Sequence, residues 1–493
     1  MEHGGLPGPG RRPRVILRAC PSYDVARIRR IVREGLEELG LRPEGRTLIK
    51  PNLVATGELF ANAHTRAEFF EGVVLALKDR DGGRMTGFAV GERSGVTIPT
   101  RFSFARSGFD PVVRRTGLRR FFFDEEQQVE VPLRHAGRLR DSVFVPRSLA
   151  STDFLVNCPK FKSHPWTTVT FSMKNFIGIQ DDRHRMIDHD HHLNAKVADL
   201  QHVIQPRFIA MDAIVAGQGP MLTPEPFDLG LVIMGDNQPA FDAVCCHVIG
   251  VDPHGVEHIR AAHEQGLGPI DLAEVTLSGD VTLEEAQRRA RGFKVGLERV
   301  EQWFEGTSVS CYAGPPTEHG VPDYCWGGCP GTLLEAYSVL RRFDSDTDRK
   351  MPRLHVVFGD YRGEIPARRG EKVVFVGGCT TWRGRLGGRE VVVERLPVAR
   401  ALKDPHHARH QDIYAKMAAV TWRLLQARGE PYVRLPGCPI SVAEQALMLT
   451  HLSDVKNPYF DPRVVLGFNR GYWGWRLASL RRGRYQTPPR AGV

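Results

Sequence analysis

The chain has 493 residues, of which 41 % are hydrophobic, and a formal net charge of +10. That length leaves room for two to four domains, and the composition is that of an ordinary globular protein. No apolar run approaches the roughly 18–20 residues that span a bilayer, so no membrane partner is expected and the location reads as cytoplasmic.

In chain order, residues 1–13, rich in glycine, proline and arginine, read as a flexible basic lead, and with no apolar stretch behind Arg11 and Arg12 it does not read as a twin-arginine export signal. Strand-like and helix-like segments then alternate. Val15–Leu17 is a strand, and residues 25–39 are helical. Residues 47–49 form a strand that ends in Lys50-Pro51-Asn52, with a helix over 68–77 behind it. Residues 87–90 and 153–156 are further strands, ending in Gly91-Glu92 and running into Asn157-Cys158-Pro159-Lys160. Two more, 208–211 and 231–234, end in Asp212 and in Gly235-Asp236, and a helix follows over 239–249. This alternation predicts a mostly parallel α/β sheet, with the polar strand ends lining one cleft.

Four stretches of this region stand out: residues 49–53; Cys158-Pro159-Lys160 with His164 and 167–178; 211–214 with Gly217-Gln218-Gly219-Pro220; and Gly235-Asp236 with 239–243. Their order and spacing resemble the family called domain of unknown function 362, over about residues 14–280. The resemblance implies little about activity. Some members carry ferredoxin-type clusters, which implies a link to iron–sulfur redox chemistry. This chain has no ferredoxin run of closely spaced cysteines.

The densest set of cationic donors is Lys160, Lys162, His164 and Lys174-Asn175. Lysines hold a carboxylate or phosphate, and a histidine moves a proton near neutral pH. Lys50 and Asn52, at a similar strand end, join this candidate site for a small anionic substrate, as does Asp212. Asp236 and Asp242 read equally well as caps or turn residues. The segment 181–192 holds four histidines and four aspartates, ligands suited to a divalent metal, with His184 and His189 the favoured pair.

The last third carries a Gly-Cys pair three times: Gly328-Cys329, Gly378-Cys379 and Gly437-Cys438. Helical patterns follow Cys329 and Cys438, and the strand 373–376 precedes Cys379. The chain has nine cysteines, an odd number and too few for a disulfide scaffold. In a reducing compartment, clustered thiols bind metal or do chemistry. Three thiols delivered from strand ends therefore suggest a shared iron–sulfur site, with 4Fe–4S as the expected cluster. Three ligands leave one iron open as a Lewis acid. A fourth, Cys325 or else Cys311, makes the cluster an electron carrier; zinc and plain burial are the alternatives.

The resulting expectation is an α/β family domain over 14–292, a smaller α/β domain with three Gly-Cys turns over 293–480, and a basic tail over 481–493. The activity expected is reduction, dehydration or reductive elimination, by an oxidoreductase or lyase supplied by an electron-donor protein. A non-redox hydrolase or lyase using 181–192, and a non-catalytic metal- or anion-binding protein, are the rivals. The charge is spread along the chain and no nucleic-acid motif is present, so nucleic acid is not the expected partner.

Overall fold

The structure is a computed structural model. It describes residues 11–316, 323–396, 404, 406 and 412–481. The expected basic lead lies outside the described residues up to residue 10, and the expected tail does so from residue 482.

The chain forms two compact units. The first comprises 1–181, 194–296 and 470–493; the second comprises 182–193 and 297–469. The chain passes from the first unit to the second at Gly296/Leu297 and back at Asn469/Arg470, and the histidine-rich stretch lies with the cysteine-bearing unit.

The first unit is built on a ten-stranded sheet. Its strands are β1 (Arg14–Ala19), β2 (Gly45–Pro51), β3 (Met85–Glu92), β4 (Arg119–Phe122), β7 (Phe154–Cys158), β8 (Lys160–His164), β9 (Thr168–Val169), β10 (Phe208–Gln218), β11 (Glu225–Gly235) and β12 (Thr276–Gly279). The hairpin of β5 (Gln128–Pro132) and β6 (Ser142–Pro146) stands apart. The order β12-β1-β11-β10-β7-β2-β3-β4 has β10, β7, β2, β3 and β4 parallel. Strands of a parallel sheet are covered on both faces, and every residue of β7 is buried accordingly. The helix Val25–Glu38 supplies part of the cover, burying Ile28, Ile31, Val32, Gly35 and Leu36 at helical spacing.

One expectation is corrected here. Residues 208–211 and 231–234 are not successive strands of the parallel run but parts of an antiparallel pair, β10 and β11. The six residues between them are too few for a crossover. Asp212 therefore lies within β10, and Asp236 lies at the opposite edge, where it accepts the Arg14 N–H at 2.9 Å. It is not part of a common cleft.

The second unit has its own sheet of β13 (Val309–Ala313), β14 (Leu354–Asp360), β15 (Lys372–Leu386), β16 (Arg389–Val393) and β17 (Tyr432–Leu435). Strands β13, β14, β15 and β17 are parallel, with Ala313, Phe358, Val376 and Leu435 in line across the sheet. Loops leaving β15 and β17 thus emerge at one carboxyl edge. Strand β15 does not stop at Val376 as expected; it bends at Gly377 (φ 105°) and resumes as a hairpin with β16. The chain is α/β in both units, with a largely parallel central sheet in the first.

Candidate functional site

The Gly-Cys loops come together at the carboxyl edge of the second unit's sheet. Cys329 opens the helix Cys329–Phe343, with Gly328 as its N-cap and Pro330 in its first turn. Its Sγ accepts the Ile440 N–H at 3.2 Å. A methyl group placed on Gly377 would lie 3.5 Å from Cys329 Sγ and 3.6 Å from Cys379 Sγ, so both sulfurs flank that one glycine. A methyl on Gly328 would come within 2.5 Å of Cys325 Sγ. The Gly378 N–H donates to the Gly437 carbonyl at 2.7 Å, which ties the loops bearing Cys379 and Cys438 to each other. At Gly328 a larger residue would collide with a thiol, whereas at Gly377 it is the left-handed backbone (φ 105°) that favours glycine.

Asp190 completes the group. Its Oδ2 lies 3.8 Å from Cys438 Sγ, and its backbone carbonyl sits where a side chain on Gly327 would collide with it, at 2.7 Å. His189 Nδ1 is 3.0 Å from the Gly327 carbonyl. Burial pushes the Cys325 thiol far up, and the negative charges of Asp190, Cys329, Cys379 and Cys438 raise it further. Cys329 is raised by burial and by Cys379, against the Ile440 N–H. The donors thus form one electrostatic neighbourhood in which every ionised member repels the rest. Cys311 stands elsewhere, within β13 opposite Val356, and its thiol is raised by burial and by Glu301. Of the two expected fourth thiols, the structure brings Cys325 to the group.

The same segment contains a compact donor trio. Among the described residues, Asp190, His191 and His192 each offer a ligand atom within 4.8 Å of the others. His192 Nδ1 is 3.0 Å from Asp190 Oδ1, and His191 Nδ1 is 3.7 Å from it. His184 and His189, the pair favoured from sequence, are not in this trio; His184 is buried in the short helix Asp182–Arg185.

The first unit's candidate residues are differently placed. Lys50 Nζ lies 2.8 and 2.9 Å from the two Glu92 carboxylate oxygens and also donates to the Pro51 carbonyl at 2.9 Å. Glu92 accepts in addition from the Leu53 and Arg93 N–H groups. Gly178 closes over this pair, since a methyl there would sit 2.8 Å from Glu92 Oε1 and 3.1 Å from Lys50 Nζ. Lys160 Nζ donates to Asp212 Oδ2 and contacts Tyr23 Oη, both at 2.9 Å, while the Tyr23 hydroxyl donates to Asp212 Oδ1 at 2.9 Å. Lys50, Lys160 and Asp212 are fully buried. Burial pushes the Lys160 ammonium down and the Glu92 carboxyl up, each opposed by its partner.

Of the lysines expected to present an open face to an anion, Lys50 and Lys160 are therefore held by carboxylates instead. Lys162 donates to the Ala63 and Met221 carbonyls at 3.1 and 3.0 Å. Asn52 organises its own turn, receiving the Val54 N–H on Oδ1 at 3.1 Å. Asn175 donates to Asn157 at 2.8 Å. His164 accepts the Trp166 N–H on Nδ1 at 3.2 Å, leaving Nε2 3.1 Å from Met221 Sδ. Lys174 is buried, and its charge helps to depress His258 to about 3, after burial. Asp242 lies inside the helix Gln238–Val248, whose N-cap is Asn237, so it is not the cap expected of it; it accepts the distant Ser172 and Met173 N–H groups at 2.8 and 3.0 Å. Sequence reasoning missed Tyr23, Glu92 and Asp190 as partners. Glu92 carried a signal, because it ends a strand beside Lys50; Tyr23 carried none.

Comparison with known proteins agrees with the four motifs. Residues 47–247 match the domain of unknown function (DUF362) family. The chain is 26 % identical over 278 residues to the thylakoid-associated protein sll1697 of Synechocystis sp. (strain ATCC 27184 / PCC 6803 / Kazusa), covering 53 % of this chain and 82 % of that one. Among solved structures, the lactate racemase apoprotein from Thermoanaerobacterium thermosaccharolyticum aligns over 73 % of each chain, at 11 % identity and a TM-score of 0.31. That likeness is too slight to bear on chemistry. Residues 47–247, which hold both buried ion pairs and the Asp190 segment, are thus a DUF362 match, while the four gathered cysteines lie beyond it.

Proposed function

We propose that the protein is an iron–sulfur oxidoreductase whose 4Fe–4S cluster is held by Cys325, Cys329, Cys379 and Cys438. The single observation that carries this reading is the gathering of four thiols and one carboxylate from separate loops around Gly328 and Gly377. Thiols that repel one another when ionised gain most from a cationic centre, because metal binding takes the thiolate form. Four sulfurs favour electron transfer over a cluster with an open iron. Such a cluster supplies one-electron transfer at a potential set by its charge, its exposure and the hydrogen bonds to its sulfurs.

The chain's own residues tune that setting. The Ile440 N–H donates to Cys329 Sγ, and Gln445 Nε2 donates to the Cys329 carbonyl at 2.7 Å, fixing the start of the helix. Asp190 adds negative charge beside Cys438. Zinc suits the thiols less well. A tetrahedral zinc–thiolate site, with bonds of about 2.3 Å, draws its sulfurs to roughly 3.8 Å apart. Among the described residues, the donor trio within 4.8 Å is Asp190, His191 and His192, not three of these sulfurs. The small anionic substrate drops out of the proposal because Lys50 and Lys160 are engaged by carboxylates.

Iron and acid-labile sulfide analysis of anaerobically purified protein tests the reading. About four irons and four sulfides per chain are expected, with a visible absorption that dithionite bleaches and that each Cys→Ser variant loses. Colourless protein that anaerobic reconstitution leaves unchanged overturns it. The compact trio supports a second reading, a single divalent metal at Asp190, His191 and His192. In that case His191→Ala and His192→Ala lose the metal, while Cys379→Ser keeps it.

A further inference from the structure

The C-terminal helix Pro462–Arg481 belongs to the first unit from Arg470 onward. One side of that part is packed. Tyr472, Trp475 and Ser479 are buried, and Gly471 and Gly474 let the backbone lie close to Phe102 and Arg101. A methyl on Gly471 would be 3.0 Å from the Phe102 nitrogen, and one on Gly474 would be 2.8 Å from Arg101 Cδ.

The outward side is apolar. Trp473, Leu477 and Leu480 are 59 %, 56 % and 55 % exposed. Spacings of four and then three residues place them on one helical stripe, and in the sequence Leu466 stands seven residues ahead of Trp473. A solvated helix presents charged or polar residues outward; this one does the reverse.

The charge pattern says what covers the stripe. From Pro462 to Val493 the sequence has seven arginines and neither aspartate nor glutamate. By helical periodicity, Arg470 and Arg476 fall on opposite sides of the stripe. Arg476 also lies over the Tyr472 and Trp475 rings, at 6.0 and 5.7 Å from their centroids. Tryptophan and leucine at the centre, arginines at both margins and no acid are the layout of a helix lying in the headgroup layer of an anionic membrane. A nucleic acid would meet the arginines but leave the leucines wet. Among the described residues no helix is long and apolar enough to cross a membrane, and a surface helix has no need to be.

We propose that this helix face docks the protein onto the surface of an anionic lipid bilayer, the arginines meeting lipid phosphates and Trp473, Leu477 and Leu480 entering the interface. The inference is independent of the thiol site. The test is flotation of the full chain with phosphatidylcholine vesicles, with and without about 30 % phosphatidylglycerol, at low and physiological salt. Binding to the anionic vesicles is expected, weakened by salt and weakened about tenfold by Trp473→Ser/Leu477→Ser and by Arg470→Glu. These side chains are exposed, so an unchanged melting temperature shows that the variants are folded. No flotation with anionic vesicles overturns the proposal. So does flotation that Trp473→Ser/Leu477→Ser leaves intact, or tighter binding to single-stranded RNA than to vesicles. A dimer in light scattering that the same double variant dissolves also overturns it, assigning the face to a second copy of the chain.

Discussion

The two units treat buried ionisable groups in opposite ways. In the first, two fully buried lysines each meet a carboxylate: Lys50 with Glu92 and Lys160 with Asp212, at 2.8 and 2.9 Å. In the second, Cys325, Cys329, Cys379, Cys438 and Asp190 can all become negative and are gathered together. A closed pair is complete and has little further affinity for a charged ligand. A set of groups that raise one another's pKa is ionised together only with a cation beside it. Density of polar residues is therefore a poor guide to a binding site; the balance of sign among them is a better one.

The sharpest way to break this comparison is to remove one member from each side. Lys160→Met leaves Asp212 buried without its cation and is expected to cost about 3–5 kcal/mol in urea unfolding. Iron content per folded chain should stay unchanged. The double variant Lys160→Met/Asp212→Leu should recover most of that loss. If Lys160→Met instead abolishes iron and the double variant is no more stable, the first unit's pairs serve the site rather than the fold.

A smaller effect concerns Asp242, whose carboxyl burial raises to about 7. Its folded-state value lies above the unfolded one, so the folded state holds the proton more tightly. Its contribution to stability is then fully present below pH 4 and falls as pH rises to 7, by on the order of 4 kcal/mol. Asp242→Asn should flatten that slope between pH 4 and 7. An unaltered slope would assign the pH dependence to other groups.

Next comes Gly328→Ala, which puts a methyl 2.5 Å from Cys325 Sγ. Overpacking of this kind costs about 1–3 kcal/mol, and here it should lower iron content as well. Full iron occupancy in this variant would remove Cys325 from the ligand set. The smallest effect expected is that of Ser441→Ala. Ser441 caps the helix Val442–His451 in a reciprocal arrangement with Glu444, so about 1 kcal/mol should be lost with no change in iron.

How much of this was legible follows from how far each signal reaches along the chain. The α/β class was visible because its periodicity is local: the stripe of Ile28, Ile31, Val32 and Leu36 spans about two and a half turns. The three Gly-Cys turns were visible because glycine and cysteine mark themselves. The antiparallel turn of β10 and β11 was missed, because the strands read as ending at 211 and starting at 231 left nineteen residues between them, enough for a crossover; only their full lengths reduce that gap to six. Asp190 and Glu92 lie far in sequence from the groups they touch, 248 residues from Cys438 and 42 from Lys50. Spacing carries no information at that range. The outward stripe of the C-terminal helix was legible in principle. A search for spanning segments passes over it, because its apolar residues recur with the helical period rather than in a run.

The bond between Gly378 and Gly437 bears on how the second unit would acquire and give up the proposed cluster. It joins two thiol-bearing loops through backbone atoms alone, and each loop springs from a strand already set in a parallel sheet. Cys329 is likewise fixed by the helix it opens. The receiving groups are thus ordered by the polypeptide itself, so binding and release of the proposed cluster should ask little rearrangement of it. A small zinc-dependent module behaves differently, since it unfolds when its ion is withdrawn. Here extraction by a chelator should leave an intact fold that accepts iron and sulfide again, making occupancy a reversible property of the protein.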